Sequence, residues 1–303
     1  MDNNRTKREI IQLVESRRIT SEEGFQRLKE LRRKQADVQT AGKRERLFFS
    51  PVWQESIPGS IEKSASIAGN VLIFADNKAS IAGISEKLKG DSGGSNIRIV
   101  SVFAGEKYEK RDTDTFAINP KSRDDYRSLF TTLRKDRGVP GHILHLRSKD
   151  PFESDESLIK KQMGISFFSV FHLCQELLEQ KIQGTIQILY FYSGSTEKRQ
   201  PLFSALSGFF KALRMENPHV AGRTIALSDW NEIPEIVSDE LKILNREDIC
   251  YRDGKRLTLR LAEFHLETDA PKSMLFKQRG VYLITGGAGG LGLAISEHIV
   301  KQV

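Results

Sequence analysis

Residues 280–300, GVYLITGGAGGLGLAISEHIV, run from a short apolar stretch through a glycine-rich turn into the opening of a helical pattern. A strand is expected over 281–285. Gly286, Gly290 and Gly292 fit the spacing TGxxxGxG. Such a turn leaves its strand sharply, lets its backbone approach a pyrophosphate, and lets the next helix pack closely; a Cβ would obstruct each of these. A helix opening near Leu291 then offers unpaired N–H groups and the positive end of its dipole to the phosphates. A tight turn without a ligand is the competing reading, and the apolar segment before it and the helix after it weigh against that.

Upstream, strand-like and helical segments alternate. LFFSPVWQESI at 47–57, VLIFADN at 71–77, IRIVSVF at 97–103, HILHLR at 142–147, TIQILYFYS at 185–193 and RTIALSDW at 223–230 read as strands. Helices are expected over 80–88, 124–135, 157–180, 202–215 and 233–244. This alternation predicts a doubly wound α/β domain with a mostly parallel sheet. ICYRDGKRLTLRLAEF at 249–264 alternates about Asp253-Gly254, a hairpin signal. The charged run EKYEKRDTD at 106–114 reads as a solvated loop. The turn after VLIFADN reads Lys78-Ala79-Ser80-Ile81-Ala82-Gly83, with a single late glycine. Its backbone is not built to meet a pyrophosphate, so this half is expected to be a nucleotide-free scaffold.

Before residue 47, Ile10, Ile11 and Val14 fall on one helical stripe and Phe25, Leu28 and Leu31 on another, with Ser16-Arg17-Arg18-Ile19 between them. Thr20 followed by Glu23 is a capping box that starts a helix at Ser21. So small a hairpin needs another surface on which to bury its stripe: a partner, a second copy, or the following domain. Four segments result: a helical hairpin and linker over 1–46, the scaffold over 47–266, a linker over 267–279, and the first βα unit of a second Rossmann domain over 280–303.

Composition excludes several classes. The 303 residues are 38% hydrophobic and 29% charged, which is ordinary globular usage. The longest apolar runs, such as Ile186–Tyr192, are far too short to span a membrane, and MDNNRTKREI has no apolar core for a signal peptide; a cytoplasmic location is expected. Of the net charge of +7, residues 1–47 carry +5 (13 Lys+Arg against 8 Asp+Glu), leaving +2 for the other 256. That distribution, without interleaved aromatics, argues against nucleic-acid binding. Cys174 and Cys250 are too few for a disulfide framework and read as buried free thiols. No metal site is expected, because His142 and His145 fall on opposite faces of a strand.

Tyr190, Tyr192 and Ser193, with Lys198 or Lys211, match the residue types that protonate a carbonyl. On an apolar strand, however, a tyrosine is more often core with its hydroxyl at an edge, and these are read so. Phe203, Leu206, Phe209 and Phe210 read as the core stripe of a helix ending at Glu216-Asn217-Pro218. No catalytic residue is assigned within the chain.

PVW at 51–53, SALSGFFKALRMENP at 204–218, YRDGKRL at 251–257 and LITGGAGGLG at 283–292 together resemble the ketoreductase region of a modular polyketide synthase, over Leu47 to Val303. The resemblance implies that the doubly wound scaffold is a truncated Rossmann-like structural subdomain supporting a catalytic subdomain of the short-chain dehydrogenase type. That catalytic subdomain uses NADPH to reduce a β-ketoacyl thioester on an acyl carrier protein to the β-hydroxyacyl form. VESRRITSEEGFQRLKEL at 14–31 resembles helical elements that precede ketoreductases in bacterial synthases with separately supplied acyltransferases. Carried over residue by residue, the cofactor turn falls on Thr285, Gly286, Gly287, Ala288, Gly289, Gly290, Leu291 and Gly292. The family's Ser and Tyr, their Lys or Asn partner, and the basic residue that selects the 2′-phosphate are expected beyond Val303, so the chain alone is expected to be inactive. Implied partners are the remainder of the catalytic subdomain, the acyl carrier protein and neighbouring synthase domains, with self-association through the hairpin. The alternative is a non-catalytic docking or dimerisation scaffold within a multidomain synthase.

Overall fold

A computed structural model describes residues 47–56, 67, 69–91, 97–136, 138–153, 155–180, 184–194, 200–243, 247–264 and 276–303, with scattered positions before 47. Two units are distinguished: Pro51–Ala262, and Met1–Ser50 together with Glu263–Val303.

The strands are β1 (Phe48–Glu55), β2 (Gly69–Ala75), β3 (Ile97–Ala104), β4 (Glu109–Lys110), β5 (Thr115–Ile118), β6 (His142–Ser148), β7 (Ile186–Ser193), β8 (Val220–Leu227), β9 (Ile249–Arg252) and β10 (Lys255–Phe264). They form one ten-stranded sheet in the order β1-β10-β9-β8-β7-β6-β2-β3-β5-β4. From β5 across to β9 every pairing is parallel, whereas β9 with β10 and β4 with β5 pair antiparallel. The run β5-β3-β2-β6-β7-β8 is the doubly wound order: the chain starts at β2, winds outward through β3 and β5, then returns to lay β6 on the other side of β2. The expected α/β fold is therefore the one observed.

Helices cover both faces, which is why the central strands are continuously apolar. Val71–Ala75 are wholly buried. On one face, Leu72, Phe74 and Val102 pack against Tyr126 and Phe130 of α2 (Arg123–Asp136), Leu173 and Cys174 of α4 (Ser169–Glu179), and Leu206 and Phe210 of α5 (Pro201–Glu216). On the other, Ile73, Ala75 and Leu144 meet Ile84 and Leu88 of α1 (Ala79–Asp91) and Val237 and Leu241 of α6 (Ile233–Leu241). Cys174 and Cys250 are buried free thiols.

Several expectations are refined. The single helix over 157–180 is instead α3 (Glu156–Met163), a π-helical turn over Gly164–Phe168, and α4. Within that turn Ser166 Oγ donates to the Gln162 carbonyl at 2.5 Å, a back-bond that opens the regular ladder. The charged stretch 106–114 is not all loop, since it contains edge strand β4, and β5 follows it. β5 is too short for its period to stand out, and charge on such an edge discourages further pairing. Residues 281–284 form no strand: Val281 and Leu283 are 101% and 95% exposed. A strand is made by hydrogen bonds to a neighbour, and no described residue supplies them; β1, which carries PVW, lies beside β10.

The hairpin at Asp253-Gly254 forms as expected, with φ of 51° and 70° and Lys255 opposite Arg252. The capping box also forms in both directions: Thr20 N donates to Glu23 Oε2 at 2.9 Å, and Glu23 N donates to Thr20 Oγ1 at 3.2 Å. The stripes Ile10, Ile11, Val14, Phe25, Leu28 and Leu31 lie outside the described residues. Among the described residues no helix is long and apolar enough to cross a membrane.

Candidate functional site

The glycine turn lies in the smaller unit and leads into α7 (Gly290–Val300). Gly286 adopts φ +72°, where a side chain is strained. Gly287 N donates to the Ile284 carbonyl at 3.2 Å and Gly289 N to the Gly286 carbonyl at 2.9 Å, so the turn folds tightly on itself. A Cβ on Gly292 would lie 2.3 Å from the Gly286 oxygen and 2.6 Å from Gly287 Cα; only a glycine lets the first turn of α7 sit against that backbone. At Gly290, by contrast, a Cβ would meet nothing within 4 Å, and Leu291 is 84% exposed. Gly289 caps the helix with extended backbone and no side-chain hydrogen bond. A helix N-terminus free of side-chain caps, reached by side-chain-free backbone, is suited to an anionic group.

The corresponding turn after β2 is built differently. Asn77 Oδ1 accepts from Ser80 N at 3.0 Å and from Ser80 Oγ at 3.1 Å, so α1 is capped by its own chain.

The tyrosine set is core. Tyr190 is fully buried, with its hydroxyl 2.6 Å from Ser148 Oγ, and burial pushes both it and Tyr192 well above the ordinary tyrosine range. Ser193 Oγ donates to the Lys149 carbonyl and accepts from Trp230 Nε1 at 2.7 Å. Lys211 pairs with Asp248 at 2.7 Å, and Lys198 lies outside the described residues. The two histidines part company as expected: His142 Nδ1 is 3.1 Å from Gln187 Oε1, while His145 Nε2 is 2.9 Å from Ser169 Oγ. Among the described residues no group of three His, Cys, Asp or Glu is placed to hold a metal ion.

Two clusters escaped the sequence reading. Asp248 accepts from Ser207 Oγ at 2.6 Å and Thr224 Oγ1 at 2.8 Å as well as from Lys211. Glu240 of α6 is wholly buried between Arg223 of β8, 2.8 Å away, and Arg256 of β10, 2.6 Å away; Tyr251 also donates to it at 2.8 Å. The available signal was Arg223 standing inside an apolar strand.

Comparison with known proteins places these features in a family. The family model Beta-ketoacyl synthase-like, N-terminal matches residues 69–247. Polyketide synthase PksN of Bacillus subtilis (strain 168) is 38% identical over 132 residues, 42% of this chain and 2% of that protein. Polyketide synthase PksM of the same organism is 23% identical over 273 residues, 88% of this chain and 6% of that protein. A solved N-terminal ketoreductase from the macrolactin assembly line has a TM-score of 0.69 at 25% identity, covering 98% of this chain and 57% of that one. The chain thus spans a small part of its curated relatives. The resemblance to the ketoreductase region of polyketide synthases is borne out, and, matched over more than half its length, the chain belongs to the family Beta-ketoacyl synthase-like, N-terminal.

Proposed function

We propose that residues 47–266 are the structural subdomain of a polyketide synthase ketoreductase and that 280–303 open its nicotinamide-binding catalytic subdomain. Thr285, Gly286, Gly287, Ala288, Gly289, Gly290, Leu291 and Gly292 hold the pyrophosphate of NADPH through backbone N–H groups. When bound, that cofactor supplies the hydride that reduces a β-ketoacyl thioester carried by an acyl carrier protein. The chain's own contribution is to bind and orient; the scaffold sheet supports the catalytic subdomain without taking part in chemistry. The observation that carries this reading is the turn in which Gly286 takes positive φ and Gly292 packs on bare backbone.

The isolated chain, mixed with NADPH and a β-ketoacyl thioester, is expected to leave NADPH fluorescence unchanged. The synthase polypeptide that carries this region is expected to consume it, and Gly292→Val in that polypeptide to abolish consumption. Turnover by the isolated chain, or full activity in the Gly292→Val polypeptide, contradicts the proposal.

A further inference from the structure

Arg147 stands where the winding of the sheet reverses. β2 is followed by α1 on one face, and its neighbour β6 leads through α3 and the π-helical turn to α4 on the other. In open α/β sheets, the crevice outside the carboxyl ends of the strands at such a reversal is where ligands sit. Here the Arg147 side chain, 2% exposed, lies across it. Nη2 donates to the Val102 carbonyl of β3 at 3.0 Å, reaching over β2; Nε approaches the Ala75 carbonyl of β2 at 3.5 Å. The guanidinium carbon lies 5.4 Å from the centre of the Phe74 ring, and Nη1 has no hydrogen-bond partner. Asn77 closes the adjacent N-terminus of α1.

We infer that Arg147 fills, from within the chain, the crevice that this winding ordinarily leaves for a ligand. Three of the side chain's contacts are those a bound cation would make: two strand-end carbonyls and an aromatic face. The scaffold half therefore keeps the topology of a nucleotide-binding fold with its ligand position occupied by its own residue. This filling is independent of the missing glycines and of the role proposed for residues 285–292. Burial lowers the basicity of Arg147, and Tyr126 and the Asp76 charge oppose that, as expected for an enclosed guanidinium.

Removing the side chain should leave a guanidinium-shaped cavity bounded by Phe74, Ala75 and Val102. The test is thermal unfolding of the full 303-residue chain with and without ethylguanidinium. In Arg147→Ala, ethylguanidinium at about tenfold its Kd should raise the midpoint by roughly 3 °C. In the wild-type chain, where the position is filled, it should raise nothing. Arg147→Met, whose side chain refills the volume, should fold and show no rise. Equal shifts in wild type and Arg147→Ala, no shift in either, or a rise in Arg147→Met matching that in Arg147→Ala would overturn the inference. So would failure of Arg147→Met to fold alongside Arg147→Ala, which would place the whole effect in the charge rather than in the filling.

Discussion

Glu240→Gln is expected to lower the unfolding free energy of the larger unit by about 3–5 kcal/mol, because it removes the carboxylate that two buried arginines share. Arg223 is 1% exposed and Arg256 4%, and both meet Glu240 within 2.8 Å. Glutamine keeps the shape and part of the hydrogen bonding, but it removes the negative charge that both guanidinium groups face in a low-dielectric interior. The cluster ties α6 to β8 and to the β9–β10 hairpin, so the loss should appear as a lower urea midpoint for the whole unit. Its pH dependence has a definite sign. Burial alone would raise the Glu240 carboxyl, but the charges of Arg223 and Arg256, with hydrogen bonds from Arg256 and Tyr251, hold it below the ordinary glutamate value. A carboxyl depressed in the folded state stabilises fully above its unfolded value and loses that contribution as pH falls through the folded value. The gap in urea midpoint between wild type and Glu240→Gln should therefore be widest near neutrality and close in acid, below the ordinary carboxylate range. A gap that stays constant down through that range would show that Glu240 acts through shape rather than charge.

Phe210→Ala should cost a further class of stability, about 3–5 kcal/mol, by opening a cavity between α5 and β8. Phe210 is 2% exposed and rests on Gly222, where a Cβ would lie 2.0 Å from the ring. Gly222→Ala in the wild-type background is thus an overpacking change, expected to cost about 1–3 kcal/mol. In the double variant the new methyl enters space that the ring has left. The combined loss should then fall short of the sum of the singles by more than about 0.5 kcal/mol. Strict additivity in urea unfolding would mean that Gly222 is not there to receive the ring.

These two sites also mark what a linear reading can and cannot reach. The helix stripe containing Phe210 and the apolar run Val71–Ala75 follow directly from periodicity, since each residue's burial is set by its own element. The Asp253-Gly254 hairpin and the Thr20–Glu23 box are local too, and both are present. Gly222 is different: its reason is a ring twelve residues earlier on another element. Glu240, Arg223 and Arg256 are likewise brought together only by the winding of the sheet; Glu240 and Arg256 alone resemble ordinary surface charges, and Arg223 inside an apolar strand marks a buried charge without naming its partner. The π-helical turn at Gly164–Phe168 hides inside a continuous helical pattern because an inserted residue alters the ladder without altering composition. In the glycine turn the local part was legible, namely the positive φ at Gly286 and the close approach at Gly292. The strand expected over 281–285 was not reliable, because strand formation depends on a neighbour that the segment itself does not encode.

The most direct test of the proposed role is the coding sequence downstream of the Val303 codon. If residues 280–303 open a reductase subdomain, it continues in frame for about another domain's length, with a Ser, a Tyr and a Lys or Asn able to surround a ketone. A stop codon directly after Val303 would contradict the reductase reading of this chain.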